Sequence, residues 1–201
     1  MNDNETKECS VERFTELIAR IRNAANEDKG PDRAYLAELR CGLHKTMQDR
    51  AWEHLIPYSD KLSIPAVRAV WCTVGGMASI LVPKDLDCSS KPWWEYNFGT
   101  TMRKLARGEE SGENGEKALK SFEPRFRRLL SCDDTILLCE MVASIGKAAE
   151  SNQVHVNLKS LFWDLSHWDG EKHDEIRFRW SQQFFGSPGN TPDSEDKESG
   201  E

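Results

Sequence analysis

The sequence shows almost no alternating apolar and polar run of the kind a half-buried strand requires, which leaves little room for a sheet. It has no C-x-x-C pair among its 6 cysteines, no Walker loop and no G-x-S-x-G elbow. Paired-carboxylate and zinc-finger spacings are missing as well, so no catalytic, metal or cofactor site is expected. Its most apolar stretch, Ala66 to Val82, is broken by Arg68, Thr73, Gly75, Gly76 and Ser79, which predicts a buried helix rather than a membrane span. The polar, acidic N-terminus does not read as a signal peptide, and the scattered cysteines (Cys9, Cys41, Cys72, Cys88, Cys132, Cys139) read as reduced thiols of a cytoplasmic protein.

Positive net charge is also missing: the 201 residues carry a formal charge of −7. Much of that excess lies at the ends, in Asp3, Glu5 and Glu8 near the start and in Asp193, Glu195, Asp196, Glu198 and Glu201 near the finish. The body between them is close to neutral, so the arrangement of charge, not its total, decides what it can bind.

What is present is helical periodicity. Val11, Phe14, Leu17, Ile18 and Ile21 follow an i, i+3, i+4 pattern after Ser10, a candidate N-cap, and Gly30-Pro31 punctuates the end. A second helix is predicted from Pro31, with Tyr35, Leu36, Leu39 and Leu43 on its apolar side and Arg33 and Arg40 sharing another face. Ser63-Ile-Pro65 opens the central helix. Residues 82–92 read as a loop, 93–107 as a helix and Gly108 to Gly115 as an exposed linker. Beyond it, Ser121 is the expected cap of a helix with Pro124 in its first turn; Asp133 or Asp134 and Asn157 cap the next two, and a last helix carries Ile176, Phe178, Trp180, Phe184 and Phe185. The expected architecture is all-α. It comprises two small helical bundles, 10–107 and 118–186, joined by a linker at 108–117 and followed by a disordered acidic tail at 187–201.

Two basic, aromatic-flanked segments stand out, Asn97 to Arg107 and Ser121 to Leu130. Arg103 and Arg107 are four apart with Lys104 beside them; Arg125 and Arg128 are three apart with Arg127 between them. Clustered arginines on helix faces are the footprint of a phosphate-binding surface, because the guanidinium forks two phosphate oxygens. Trp52, Trp71, Trp163, Trp168 and Trp180 fall at apolar positions and are expected in the core. Trp93 and Trp94 are adjacent and cannot share one helix face, which makes them candidates for docking a partner. His173-Asp174 reads as a solvated turn, and His44 and His54 as packing or surface groups.

The order Arg33-Ala34, Leu39-Arg40, Asn97-Phe-Gly99, Leu105-Ala106 and Arg125-Phe-Arg-Arg-Leu-Leu130 resembles the CasB family, the small subunit of the type I-E CRISPR surveillance complex Cascade. Leu161 to Trp168, Arg179-Trp180 and Phe184-Phe185-Gly186 extend the likeness over about residues 31 to 186. The resemblance implies a non-catalytic helical subunit, present in two copies, that bridges other Cascade subunits along the guide RNA. It further implies stabilisation of the R-loop through contacts with target-strand and displaced-strand DNA. The candidate contact residues are Arg33, Arg40, Arg103, Lys104, Arg107, Arg125, Arg127 and Arg128, with no metal and no cofactor. Thr100 departs from the pattern, standing where some members carry a cation, and the glutamates of 109–116 lie close enough in sequence to screen the Arg103 cluster. The rival reading is a helical protein-protein adaptor with no nucleic-acid role, and a more remote one is a metallohydrolase built on His173 and Asp174.

Overall fold

A computed structural model describes residues 3–26, 30–108 and 112–186. Its helices are α1 (Asp3–Ala25), α2 (Arg33–Arg40), α3 (Asp49–Leu55), α4 (Pro65–Leu81), α5 (Phe98–Arg107), α6 (Gly112–Leu130), α7 (Thr135–Ser151), α8 (Leu158–Ser166) and α9 (His173–Phe185). There is no strand among the described residues; Asp87 and Val156 form an isolated bridge that ties the segment before α5 to the start of α8. The acidic tail beyond Gly186 lies outside the described residues.

Helix α4 is the hub. From Ala69 to Leu81 every one of its residues is buried, which explains the predominantly apolar character that the sequence shows there. Pro65 stands in its first turn, where no intrahelical N–H is needed. The segment Pro65–Lys84 is long and apolar enough to cross a membrane, yet most of it is buried inside the protein. Against α4 pack α2 and α3 from one side of the chain and α7 and α8 from the other, while α5 packs against both α6 and α9. A single apolar cluster consequently runs from Phe14 and Leu39 to Phe162 and Trp180. At its centre Phe14 of α1 stacks on Phe162 of α8, ring centroids 4.4 Å apart, and Trp71 of α4 meets Phe162 edge-on at 4.8 Å. Full burial of such side chains contributes roughly 1.5–3 kcal/mol each. An exposed ion pair such as Arg13 with Asp60 adds about 0–1 kcal/mol, so the apolar contacts dominate.

Close backbone approach completes the hub. A Cβ at Gly42 would stand 2.4 Å from the Cys72 carbonyl oxygen, so only glycine lets the turn after α2 lie against α4. Cys41, Cys72, Cys88, Cys132 and Cys139 are unbridged, and burial pushes the thiols of Cys72, Cys88 and Cys139 up to about 11, about 12 and about 12.

Several local expectations are corrected. Helix α1 begins at Asp3, so Ser10 lies within it and is not its cap. The second helix starts at Arg33, not Pro31, because Asp32 caps it by accepting the Tyr35 N–H at 3.1 Å. Trp93 and Trp94 precede α5, which starts at Phe98 and not at Trp93, because a capping box at Asn97 sets its first turn. Helix α6 begins at Gly112, inside the expected linker, and Pro124 sits in its interior rather than its first turn. The Glu113 to Lys120 stretch is rich in good helix formers, and this carries α6 back past Ser121. Asp134 and Asn157 cap α7 and α8 as the sequence indicates. Of the tryptophans, Trp71, Trp168 and Trp180 are fully buried, Trp163 is partly so, and Trp52 is 38% exposed beneath Arg68.

Candidate nucleic-acid interface

Helix α5 owes its position to Asn97. The Asn97 side-chain oxygen accepts the Gly99 N–H at 2.9 Å, and its amide donates to the Arg179 carbonyl of α9 at 3.3 Å. The Thr100 hydroxyl oxygen accepts the Asn97 N–H at 3.4 Å and lies 3.3 Å from Gln183. Thr100 is therefore a cap and a helix-to-helix tie, a structural job that accounts for a neutral side chain there. Further along the same helix, Arg103 and Arg107 are half-buried and Lys104 is exposed, its ammonium 4.9 Å from the Tyr96 ring centroid. Burial lowers the Arg103 guanidinium pKa from its ordinary value, and the like charge of Arg107 adds to that effect. The Arg107 Nε is itself buried without a hydrogen-bond partner. Two cations held in this way favour an anion that could join them.

On α6, Phe126 and Leu129 face the core while Arg125, Arg127 and Arg128 are exposed. They are not equivalent. Arg127 is bound to Glu123 one turn earlier, Nε and a terminal nitrogen each 2.6 Å from the same carboxylate oxygen, and lies over the Phe185 ring at 5.4 Å. Arg125 stacks over Phe122 at 5.8 Å. Among the described residues, Arg33, Arg40, Arg103, Lys104, Arg107, Arg125 and Arg128 make no ion pair; Arg127 is the exception of the eight. Helices α5 and α6 pack together, so five of these unpaired cations belong to one helix pair. Arg33 and Arg40 are exposed on α2, which packs with α1, α3 and α4 and forms no extended contact with α5 or α6. Of the glutamates expected to screen the cluster, Glu109 and Glu110 lie outside the described residues, and Glu113 pairs with Lys117 at 3.2 Å.

The histidines go elsewhere. His173 packs edge-on against Trp168 at 4.9 Å, and its Nδ1 is 3.9 Å from an exposed Asp174 carboxylate. Glu38, Glu53 and His54 bring three ligand-type atoms within 4.8 Å of one another, but His54 Nε2 is already engaged by Glu38 at 2.5 Å.

A second basic region has no counterpart in the sequence reading. Arg179 of α9 is almost fully buried, with its guanidinium 4.5 Å from the ring centroid of Trp93 and 4.9 Å from that of Trp163. One of its nitrogens bonds Asp164 at 2.6 Å, and the other Asp164 oxygen accepts the Trp180 indole N–H at 2.6 Å. Burial pushes the Asp164 carboxyl up to about 7, opposed by the Arg179 charge and the Trp180 hydrogen bond. This cluster borders the concavity between the 89–93 segment and α8, about 510 Å³ in volume, which Lys91 and Lys159 also line. Its members are scattered across 91, 159 and 179, and no local spacing joins them.

The fold and the α5–α6 surface define a class: a protein all-helical over its described residues, with basic side chains that make no ion pair on two packed helices. Residues 35–185 match the family model of CRISPR-associated protein Cse2, and the chain belongs to that family. This agrees with the small-subunit resemblance carried by the arginine and tryptophan motifs, and family membership implies a structural role as small subunit of type I-E Cascade. No match is found among curated proteins or among solved structures.

Proposed function

We propose that this chain is the non-catalytic small subunit of a cytoplasmic RNA-guided surveillance complex, bridging other subunits along the guide RNA and stabilising the R-loop in antiviral defence. A second copy of itself and both strands of the opened target are its expected partners. The observation that carries the reading is the unpaired state of the α5–α6 cations. An arginine serving a structural role is usually spent on a carboxylate, as Arg127 is on Glu123 and Arg179 on Asp164.

The energetics suit a stabilising rather than a reading role. Exchange of a DNA duplex for an RNA–DNA hybrid is near balance, so a few phosphate contacts can tip it, and sequence selection stays with the guide. The acidic residues elsewhere keep the intrinsic affinity modest, with tethering in the complex supplying effective concentration.

Reversal of charge at Arg125 and Arg128 (Arg125→Glu, Arg128→Glu) tests this. Both are exposed, so assembly measured by size exclusion is expected to persist while R-loop formation weakens. The salt slope of single-strand binding should fall by about 1.4, at roughly 0.7 per phosphate contact. Unchanged target binding would remove α6 from the interface. The adaptor reading draws on a different observation, the exposure of Ile56, Trp94 and Phe178, which protein partners would cover. In that reading, DNA binding is absent at every salt concentration.

A further inference from the structure

Trp93, Arg179, Trp163 and His167 form a continuous column. The Arg179 guanidinium lies against both indoles, and Trp163 stacks in turn on His167, with ring centroids 4.1 Å apart and planes 24° from parallel. Both ends of the column differ in access. His167 is buried, whereas Trp93 is 40% exposed. Trp94 stands at 87° to Trp93 with its centroid 5.7 Å away, so the two indoles make a corner at the open end. The column is held rigidly, because Asp164 fixes Arg179 from behind and Gln183 donates to the Trp94 carbonyl at 2.8 Å.

Charge around the corner is equally specific. Lys91 is paired with Glu95 at 2.8 Å, but Lys159, across the concavity, is exposed and has no ion pair among the described residues. It sits in the first turn of α8, where the Lys159 and Ser160 N–H groups are already taken by Ser89 Oγ and the Asn157 cap, so the charge of the lysine itself is what draws a phosphate. The nearby carboxylates are spent: Asp164 on Arg179 and Trp180, Asp87 on Ser89 and Arg22, Glu95 on Lys91. A pre-set aromatic plane that shares a concavity with an unspent lysine suits a flat ring carrying a phosphate.

We propose that this corner is a binding site for one nucleotide of a single strand, its base extending the column on Trp93 and its phosphate at Lys159. The proposal rests on the nucleic-acid reading above but concerns a different surface from α5 and α6. Such a site would hold a base that is out of a duplex, and would discriminate single strands from paired ones.

The test is binding of the purified chain to a short oligo-dT carrying one 2-aminopurine, followed by anisotropy and by quenching of the 2-aminopurine. Trp93→Ala is expected to weaken binding about tenfold, the size of one lost base stack, and to abolish the quenching. Trp93→Phe should restore most of both, which separates stacking from a folding defect. Lys159→Gln, at an exposed position, should lower the salt slope by about 0.7. If Trp93→Ala and Lys159→Gln behave as the parent while Arg125→Glu with Arg128→Glu binds weakly, the corner is not a site and the α6 interface stands. If the parent chain binds no strand, the nucleic-acid reading itself fails. Loss of Trp93→Ala from the assembled complex with unchanged strand binding would assign the corner to a protein partner and overturn the proposal.

Discussion

Asp164→Ala is expected to lower the thermal midpoint by about 10 °C, the largest effect of any single substitution of a polar side chain here. The carboxylate is almost fully buried and answers two donors, the Arg179 guanidinium and the Trp180 indole N–H. Formation of the pair returns little net stability, since burial of both charges costs nearly what their attraction supplies. Removal of one partner is different, because it strands the other charge, at a cost of about 3–5 kcal/mol. Glu175, already ion-paired with Arg179 at 3.8 Å but half-exposed, remains as a weaker partner, which places the loss toward the lower end of that range. The stranded Arg179 would also leave its place between Trp93 and Trp163, loosening the segment before α5. Asp164→Asn keeps an acceptor and should fall between parent and alanine variant. Circular dichroism on heating measures this directly, and a shift under 2 °C would mean that the pair is not the anchor of α8 to α9.

Gly99→Ala is expected to be nearly as damaging, through geometry rather than charge. A Cβ there would stand 2.1 Å from the Trp180 backbone carbonyl oxygen, and a backbone atom cannot swing aside as a side-chain tip can. The α5 and α9 helices would have to separate, weakening the Phe98 contact with Trp180, whose centroids are 5.1 Å apart, and the Asn97 bond to the Arg179 carbonyl. Overpacking of this kind costs about 1–3 kcal/mol, and a helix-to-helix contact that cannot relax belongs at the upper end. Chemical denaturation should show a lowered midpoint. Equal stability of parent and variant would show that the two helices are free to shift.

Local signals explain what was legible. Asp134 and Asn157 are short polar residues immediately before apolar periodicity, and a cap needs nothing more than its own turn. The run from Ala66 to Leu81 reads as a buried helix because it is largely apolar yet interrupted by Arg68, Thr73 and Ser79, and the structure surrounds it with helices from both halves of the chain. Where boundaries went astray, a local breaker was outweighed by its surroundings. Pro124 removes one N–H at an exposed point of α6, a loss that the Phe126 and Leu129 packing offsets. Ser10 is a good cap residue by type, yet the polar stretch before it continues the helix.

The basic residues divide in the same way. Their clustering on α5 and α6 is visible as spacing, but which of them are spent on carboxylates is largely a tertiary fact. Arg127 is the case that sequence could have separated, since Glu123 stands four residues before it on the same helix face. The Trp93–Arg179–Trp163 column could not have been read, because its members come from the segment before α5, from α8 and from α9, and meet only through folding. Trp52 illustrates the converse: it has an apolar position by period, but the short α3 leaves it at the surface under Arg68.

The most direct test of the account is fluorescence anisotropy of the purified chain on single- and double-stranded DNA across a salt series, beside a variant carrying Arg103→Glu, Arg107→Glu, Arg125→Glu and Arg128→Glu. Circular dichroism of the variant checks that the half-buried Arg103 and Arg107 positions still fold. The account predicts salt-dependent binding by the parent and its loss in the folded variant, which would assign the interface to α5 and α6. Binding of equal strength and equal salt slope in the two proteins would contradict it.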